Sequence, residues 1–343
     1  MPPDCPRVTV VTCGYNGTRT VASAIESILG QAFTDFEYIL VDDFSADDTA
    51  EIMTRYAERD SRVRVIRSPV NLSPAGALNR ALQESSGTYW AVLDQDDISL
   101  PGRLERQVEF LNLHAEVGAV GGQAIEVDTS MVPLRPLPFP EDPALVRWEI
   151  LFRCPILHSA LMMRRELLLK AGGYPLRQWS IIDFTLHSGL IRTTRIANLP
   201  EVVAYYRRSP TQVSCLFRKE QLGQELLLVH AMLAERLGMR VPLPDIARLI
   251  RGVRGEFLES AAEIDRTADL LCEMLDRHLA AEQPDEAKAG LLRRDCAWKL
   301  LVLARAGRCE HSDTPRSALR QSISLDPGIP PRPRNPPPPQ VWP

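Results

Sequence analysis

AVLDQDDISLPGRLERQ, residues 91–107, sets three carboxylates within four positions, directly after an apolar run and directly before a stretch with helical spacing. Like charges that close repel and raise one another's pKa unless a cation or a hydrogen-bond network holds them. The cluster is therefore either a solvated turn at a helix entry or a place where something positive belongs. Taken alone it fits both, because Asp is also favoured ahead of helices such as PGRLERQVEFL (101–111), and Asp97 is the expected cap. The choice depends on what the chain builds before and after it.

Before it, short β-branched runs alternate with amphipathic segments, the pattern of an α/β domain with a largely parallel sheet. RVTVVTC (7–13), EYILVDD (37–43), RVRVIRS (62–68) and TYWAVLD (88–94) read as strands. TVASAIESILGQ (20–31), TAEIMTRYAERD (49–60) and PAGALNRALQES (74–85) carry apolar residues at helical spacing between them. Short connections imply adjacent parallel strands joined by right-handed crossovers. In an open sheet of this kind the loops at the carboxyl ends of the strands form the ligand crevice. Tyr15, Asn16, Asp42, Asp43, Asp94, Asp96 and Asp97 all fall at such ends. A rim of carboxylates attracts a divalent cation or donor groups rather than a bare phosphate.

After it, MVPLRPLPFPEDP (131–143) reads as a proline-rich loop, HSALMMRRELLLKAGGY (158–174) as a strand, a short helix and a Gly172-Gly173 stop, and EVVAYYR (201–207) as a late strand. IIDFTLHSGLI (181–191) reads as a helix with Asp183 in its first turn. From 218 to 325 the chain is helical and rich in Leu, Ala and Arg, and 326–343 is a polyproline tail expected to be disordered or extended. Within the helical part, GRCEHSDTPRSALRQSISLDPG (307–328) looks like the last helix pair of a tetratricopeptide-type unit, which one copy cannot bury alone. Lid, protein-partner surface and stabilising cap are all open for these helices.

Composition frames these motifs. The chain has 343 residues, 45% hydrophobic and 24% charged, and 40 Lys and Arg against 44 Asp and Glu give a formal charge of −4, which argues against nonspecific nucleic-acid binding. Seven scattered cysteines, none in a CxxC spacing, suggest neither a disulfide framework nor a zinc site. The start lacks the marks of a leader, and no stretch approaches the roughly 18 apolar residues of a membrane span. The expected location is the cytoplasm, with a peripheral place at the inner face of the membrane as its variant.

VTVVTCGYNG (8–17), SAIESILGQAFTDFEYILVDDFSADDTAEI (23–52), NLSPAGALNRAL (71–82) and GTYWAVLDQDDISLPGRLERQ (87–107) follow one another in an order and spacing that resembles the family 2 inverting glycosyltransferases. The resemblance implies a GT-A nucleotide-diphospho-sugar transferase fold over 1–217. It implies a nucleotide-diphospho-sugar donor, a glycan, lipid-linked or protein acceptor, and a Mg2+ or Mn2+ ion. Carried onto this chain, Tyr15, Asn16, Asp42 and Asp43 hold the nucleotide base, Asp94 the ribose, and Asp96 the metal that bridges the diphosphate. Asn79 and His158 join them as donor-binding residues. Hard cations take carboxylate oxygens, and one placed there neutralises a leaving diphosphate. Asp183, after the GGY segment, takes the place of the base that deprotonates the acceptor hydroxyl.

The chain departs from the family at four positions: Ile182 where Glu is usual, His187 and Gly189 where Trp and Arg are common, and Ser209 where the Tyr-Arg-x-His segment has His. These departures imply weakened metal binding, and they keep a second reading in play, a catalytically decayed nucleotide-sugar-binding or scaffold protein. A haloacid-dehalogenase-like phosphatase is rejected because its Asp-x-Asp follows the first strand, not the fourth. Donor sugar, base and acceptor depend on segments 128–156 and 174–195, whose residues carry no readable preference.

Overall fold

The computed structural model describes residues 5–178, 180–210, 212–256, 258, 260–306 and 316–326. The polyproline tail beyond Asp326 and residues 307–315 of the tetratricopeptide-like stretch lie outside them.

The chain forms two compact units, the first made of residues up to Val146 together with Cys154–Gln221, the second of Arg147–Arg153 with Leu222 onward. In the first, β1 (Val8–Gly14), β2 (Phe36–Asp42), β3 (Val63–Arg67) and β4 (Tyr89–Val92) run parallel in the order β3-β2-β1-β4, with Gly14 opposite Asp42 and Asp42 opposite Arg67. β1, β2 and β4 are buried almost without alternation, as strands covered on both faces must be. The crossovers are α1 (Val21–Leu29), α2 (Thr49–Arg59) and α3 (Ser73–Glu84), and their apolar stripes Val21, Ile25 and Ile28, and Ile52 with Met53, join the sheet core. This part of the sequence reading holds to within a residue or two.

Beyond β4 the sheet turns mixed. β5 (Ile98–Ser99), α4 (Arg103–Leu113), β6 (Val117–Val127) and β7 (Pro133–Leu137) follow, then α5 (Pro143–Glu149), β8 (Met162–Arg164), α6 (Arg165–Lys170), α7 (Ile182–Leu190), β9 (Arg195–Arg207) and the one-turn α8 (Val213–Leu216). β8 is antiparallel to both β4 and β6, and β6 pairs in parallel with β9.

Three features differ from the sequence reading. The loop expected at 131–143 contains β7, whose Pro133 and Pro136 are tolerated because it is an edge strand on β6. The eleven-residue β6 carries no strong strand signal because of its glycines. They are required by close approach: a Cβ at Gly118 would lie 2.3 Å from Leu167 Cδ1, and one at Gly121 2.3 Å from Asn198 Oδ1. Finally, residues 147–153, expected in the first domain, belong to the helical unit, where Trp148 is buried and donates Nε1–H to Asp295 at 2.7 Å.

The helical unit contains most of α9 (Arg218–Leu237), with α10 (Leu243–Val253), α11 (Ala261–Glu282), α12 (Glu286–Ala306) and α13 (Arg316–Leu325). Ser260 caps α11, accepting from the Glu263 N–H at 3.2 Å in a Ser-x-x-Glu arrangement. α13 does pack on its predecessors, its Ser322 hydroxyl donating to the Ala297 carbonyl at 2.9 Å.

Candidate active site

The rim is tied together strand by strand. At the end of β1, Gln95 accepts the Tyr15 N–H at 3.0 Å and donates to its carbonyl at 3.1 Å, so the residue between the two aspartates of the Asp-x-Asp motif clamps the β1 loop. The Tyr15 ring stays 50% exposed. Asn16, in the left-handed region at φ 50°, donates its N–H to Ser45 and accepts from the Ala46 N–H at 2.9 Å, binding the β1 loop to the β2 loop. Asn16 thus holds the loop's shape.

Asp42 and Asp43 have separate tasks. Asp43 accepts the Leu72 N–H at 2.7 Å and fixes the entry to α3; burial raises its pKa, only partly offset by that bond. Asp42 is buried and its Oδ1 has no partner among the described residues. Such an orphaned acceptor carries a desolvation cost that a donor N–H from a ligand would remove. Asn79 is occupied otherwise: both ends of its amide bind the Tyr174 backbone, at 2.9 and 2.7 Å. Its amide positions the GGY segment.

The opening cluster resolves into three different carboxylates. Asp94 accepts from His158 Nδ1 at 3.2 Å and from the Ser159 hydroxyl at 2.9 Å. Burial opposes its charge, but the adjacent imidazolium and these bonds outweigh burial and lower its pKa, while Asp94 in turn overcomes burial to raise that of His158. Asp97 is fully buried and its pKa is pushed far up by burial and then by Asp96 and Asp94. Ser159 stands between Asp97 and Asp94 with one hydroxyl proton. A protonated Asp97 donating to Ser159, which donates to Asp94, satisfies all three groups and removes one negative charge. Beneath them lies Arg103, fully buried, its Nη2 bound to the Val92 and Leu161 carbonyls at 2.7 and 3.1 Å. Burial lowers its pKa to about 10, still leaving a cation below the cluster at neutral pH.

Asp97 does not cap a helix, since α4 starts after Gly102; it accepts the Arg207 N–H at 2.8 Å and so pins β9. Asp97→Ala should cost about 1–3 kcal/mol, the penalty of leaving buried donors unpaired. Thermal melts should show a fall of several degrees with nucleotide affinity retained in the folded fraction; an unchanged melt would contradict this role.

Asp96 has the third environment. Gln212 Nε2 donates to its Oδ2 at 3.0 Å, and Arg207 Nε binds its backbone carbonyl at 2.7 Å. Burial and the Asp94 charge raise its pKa, as expected of a carboxylate awaiting a cation. Gln212 lies three residues past Ser209 and reaches the motif where the family's histidine is missing; nothing in the sequence marked it. Ser159, Gln95, Arg207 and Arg103 were likewise not singled out.

Among the described residues no group of three or more His, Cys, Asp or Glu converges to hold a cation unaided. The donor set still fits Mg2+ or Mn2+, which nucleotide sites commonly hold through one or two carboxylates with phosphate oxygens supplying other ligands. Asp96 offers that carboxylate.

Asp183 sits in the first turn of α7, half-buried, with Cys154 Sγ 3.7 Å from its Oδ2. Its charge is felt at both His158 and Tyr174, as is that of Asp94. His158 Nε2 lies 3.4 Å from the Tyr174 hydroxyl, which also accepts from Trp90 at 3.2 Å. His187 packs: it is fully buried, its pKa falls to about 3 through burial and then the His158 charge, and Nδ1 meets Cys154 Sγ at 3.3 Å.

A family model described as glycosyl transferase family 2 matches residues 9–169, a span that includes Tyr15, Asp42, Asp43, the Asp-x-Asp motif and His158 but ends before Asp183, Arg207 and Gln212. EpsE of Bacillus subtilis, named as a glycosyltransferase, is 37% identical over 171 residues, 49% of this chain and 60% of EpsE, so the match leaves a substantial part of that relative uncovered. WfaP of Escherichia coli, a UDP-Glc:alpha-D-GlcNAc-diphosphoundecaprenol beta-1,3-glucosyltransferase, is 29% identical over 222 residues, 64% of this chain and 85% of WfaP. Among solved structures, the mannosyltransferase PcManGT from Pyrobaculum calidifontis, in complex with GDP-Man and Mn2+, aligns over 94% of this chain and 86% of its own with a TM-score of 0.54 and 21% identity, a likeness of fold. With the strand order, the Asp-x-Asp placement and these matches in agreement, residues 9–169 are similar to the family 2 glycosyltransferases, and the chain has a GT-A-like fold followed by a helical region.

Proposed function

We propose that the protein transfers a sugar from a nucleotide-diphospho-sugar to an acceptor hydroxyl with inversion, assisted by Mg2+ or Mn2+. The observation that carries this reading is the division of labour at the Asp-x-Asp motif. Asp97 is taken up by Ser159 and the Arg207 N–H, Asp94 by His158 and Ser159, and Asp96 is left with one oxygen that bonds no other residue among those described.

The exposed Tyr15 face and the unpartnered Asp42 Oδ1 suit a nucleobase, which stacks through its ring and donates an N–H. Asp94 suits the ribose hydroxyls. A cation held by Asp96 would supply charge neutralisation to the departing diphosphate. Asp183 takes the proton of the acceptor hydroxyl as its oxygen bonds to the anomeric carbon and the bond to the diphosphate oxygen breaks on the opposite face. The acceptor class suggested by WfaP is a lipid-linked glycan, which would bring the chain to a membrane surface; no described helix is long and apolar enough to cross one.

A second reading, donor binding without turnover, is favoured by one observation: the usual acidic neighbour of the base is Ile182, buried in the apolar interior. Turnover measurements separate the two. For the metal, calorimetry of UDP should show binding strengthened by about tenfold or more with Mn2+, and Asp96→Asn should abolish that gain, since the Asp96 carboxylate is the group that would hold the ion. Equal affinity with and without Mn2+ in both proteins would refute metal assistance.

A further inference from the structure

Within the helical unit, a cavity of about 400 Å³ opens between the α9–α10 turn and one side of α11, where Arg266, Leu270, Glu273 and Arg277 recur at helical spacing. Its charges are unevenly satisfied. Asp245, in the first turn of α10, pairs with Arg248, and Glu273 Oε1 pairs with Arg277 at 2.8 Å. Arg277 also donates to the carbonyls of Leu237 and Gly238 at 3.2 and 3.4 Å. The side chains of Arg240 and Arg266, both exposed and both lining the cavity, make no hydrogen bond or ion pair among the described residues. Each carboxylate of the cavity therefore has its own cation, and two guanidinium groups are left over.

Two guanidinium groups lining one cavity without a carboxylate partner leave it with uncompensated positive charge, and their planar forks match the oxygens of a phosphate. The volume exceeds what a bare phosphate fills. The remaining wall has two kinds of surface. Met239 and Val241 are apolar, while Asp245 Oδ2 and Glu273 Oε2 bond nothing among the described residues and are free to accept hydroxyl protons.

We infer that this cavity binds a phosphorylated saccharide or polyol, the phosphate between Arg240 and Arg266 and the hydroxyls on Asp245 and Glu273. The inference uses no residue of the carboxylate cleft and stands or falls apart from the reading proposed for it. The phosphate can arrive on a soluble sugar phosphate or on a glycerol-type lipid headgroup.

The test uses the full chain in EDTA at constant ionic strength. Calorimetry is run with glucose 6-phosphate, orthophosphate and glucose, and sedimentation with phosphatidylcholine vesicles with and without phosphatidylglycerol. Wild type should bind glucose 6-phosphate about tenfold or more tightly than orthophosphate, or sediment with the phosphatidylglycerol vesicles alone; the first result marks a soluble source and the second a lipid one. The Arg240→Gln/Arg266→Gln double variant should lose at least about tenfold in either assay with an unchanged melting temperature, and Arg293→Gln, outside the cavity, should behave as wild type. Undiminished binding by the double variant, or no binding of any probe at tens of millimolar, would overturn the inference. Equal affinity for orthophosphate and glucose 6-phosphate without vesicle binding would overturn its saccharide part.

Discussion

Asp183→Asn is expected to lower sugar transfer by about 10²–10⁴ while leaving the fold and nucleotide affinity intact, because a positioned general base contributes that much to the chemical step. The amide keeps the shape of the side chain and its one polar contact among the described residues, Cys154 at 3.7 Å, so packing and the rim should be preserved. What is lost is the acceptor for the hydroxyl proton. The distinguishing measurement is donor turnover by wild type and variant, first with water and then with a panel of lipid-linked and free glycan acceptors, beside UDP calorimetry. Transfer by wild type that collapses in the variant at unchanged UDP affinity identifies Asp183 as the base. Identical slow hydrolysis in both, with no transfer to any acceptor, would instead support donor binding without turnover and would fit the apolar Ile182 beside it.

Lys299→Met is expected to destabilise the helical unit by about 3–5 kcal/mol, since removing one partner of a buried ionic group leaves uncompensated charge. Lys299 is fully enclosed between Glu149 and Asp295, with its ammonium over the Phe152 ring. Burial works against the Glu149 charge, but Lys299 and Arg153 outweigh it and carry its pKa down to about 2. Asp295 has burial and the Glu149 charge against it and titrates high despite Lys299 and the Trp148 N–H. Glu149 therefore contributes stability that is present above its unfolded pKa near 4.3 and is lost as pH falls toward the folded value. The gap between wild type and variant should accordingly be widest near neutral pH and narrow below about pH 4. Urea denaturation followed by the fluorescence of Trp148 and its neighbours, at pH 7 and in acid, tests both parts. A loss under about 1 kcal/mol, or a gap that widens in acid, would show that the network is not held by Lys299.

Much of the first unit was legible because its signals are local. β1 to β4 and the three helices between them declare themselves by periodicity over a dozen residues or fewer, and a parallel sheet places every following loop at one edge. Tyr15, Asp42 and Asp96 could thus be assigned to one rim without knowing a single contact. The first-turn place of Asp183 on α7 was legible from the helical reading of 181–191, and the helical character of the region after 218 through composition.

What only the tertiary structure decided is which partner each side chain meets. Asp94, Asp96 and Asp97 are near neighbours in sequence, yet one is held ionised by His158, one faces Gln212 and one is buried under Arg207, 110 positions away. Those partners arrive on β9, the turn after it and the short segment ahead of β8, and their register rests on the shifts where β6 and β9 pair around Gly122 and Gln123. A glycine-rich strand and a proline-bearing edge strand have weak propensity of their own; β6 forms where side chains such as Leu167 and Asn198 pack too close to leave room for a Cβ, and β7 forms as an edge on it. The transfer of 147–153 to the helical unit has the same origin. Trp148 and Glu149 have only a short helix around them in sequence, and Asp295 and Lys299, some 150 residues on, determine where they are buried. Periodicity and strand-end placement are properties of a segment, whereas charge compensation in a buried site depends on distances that exist only once the chain has closed on itself.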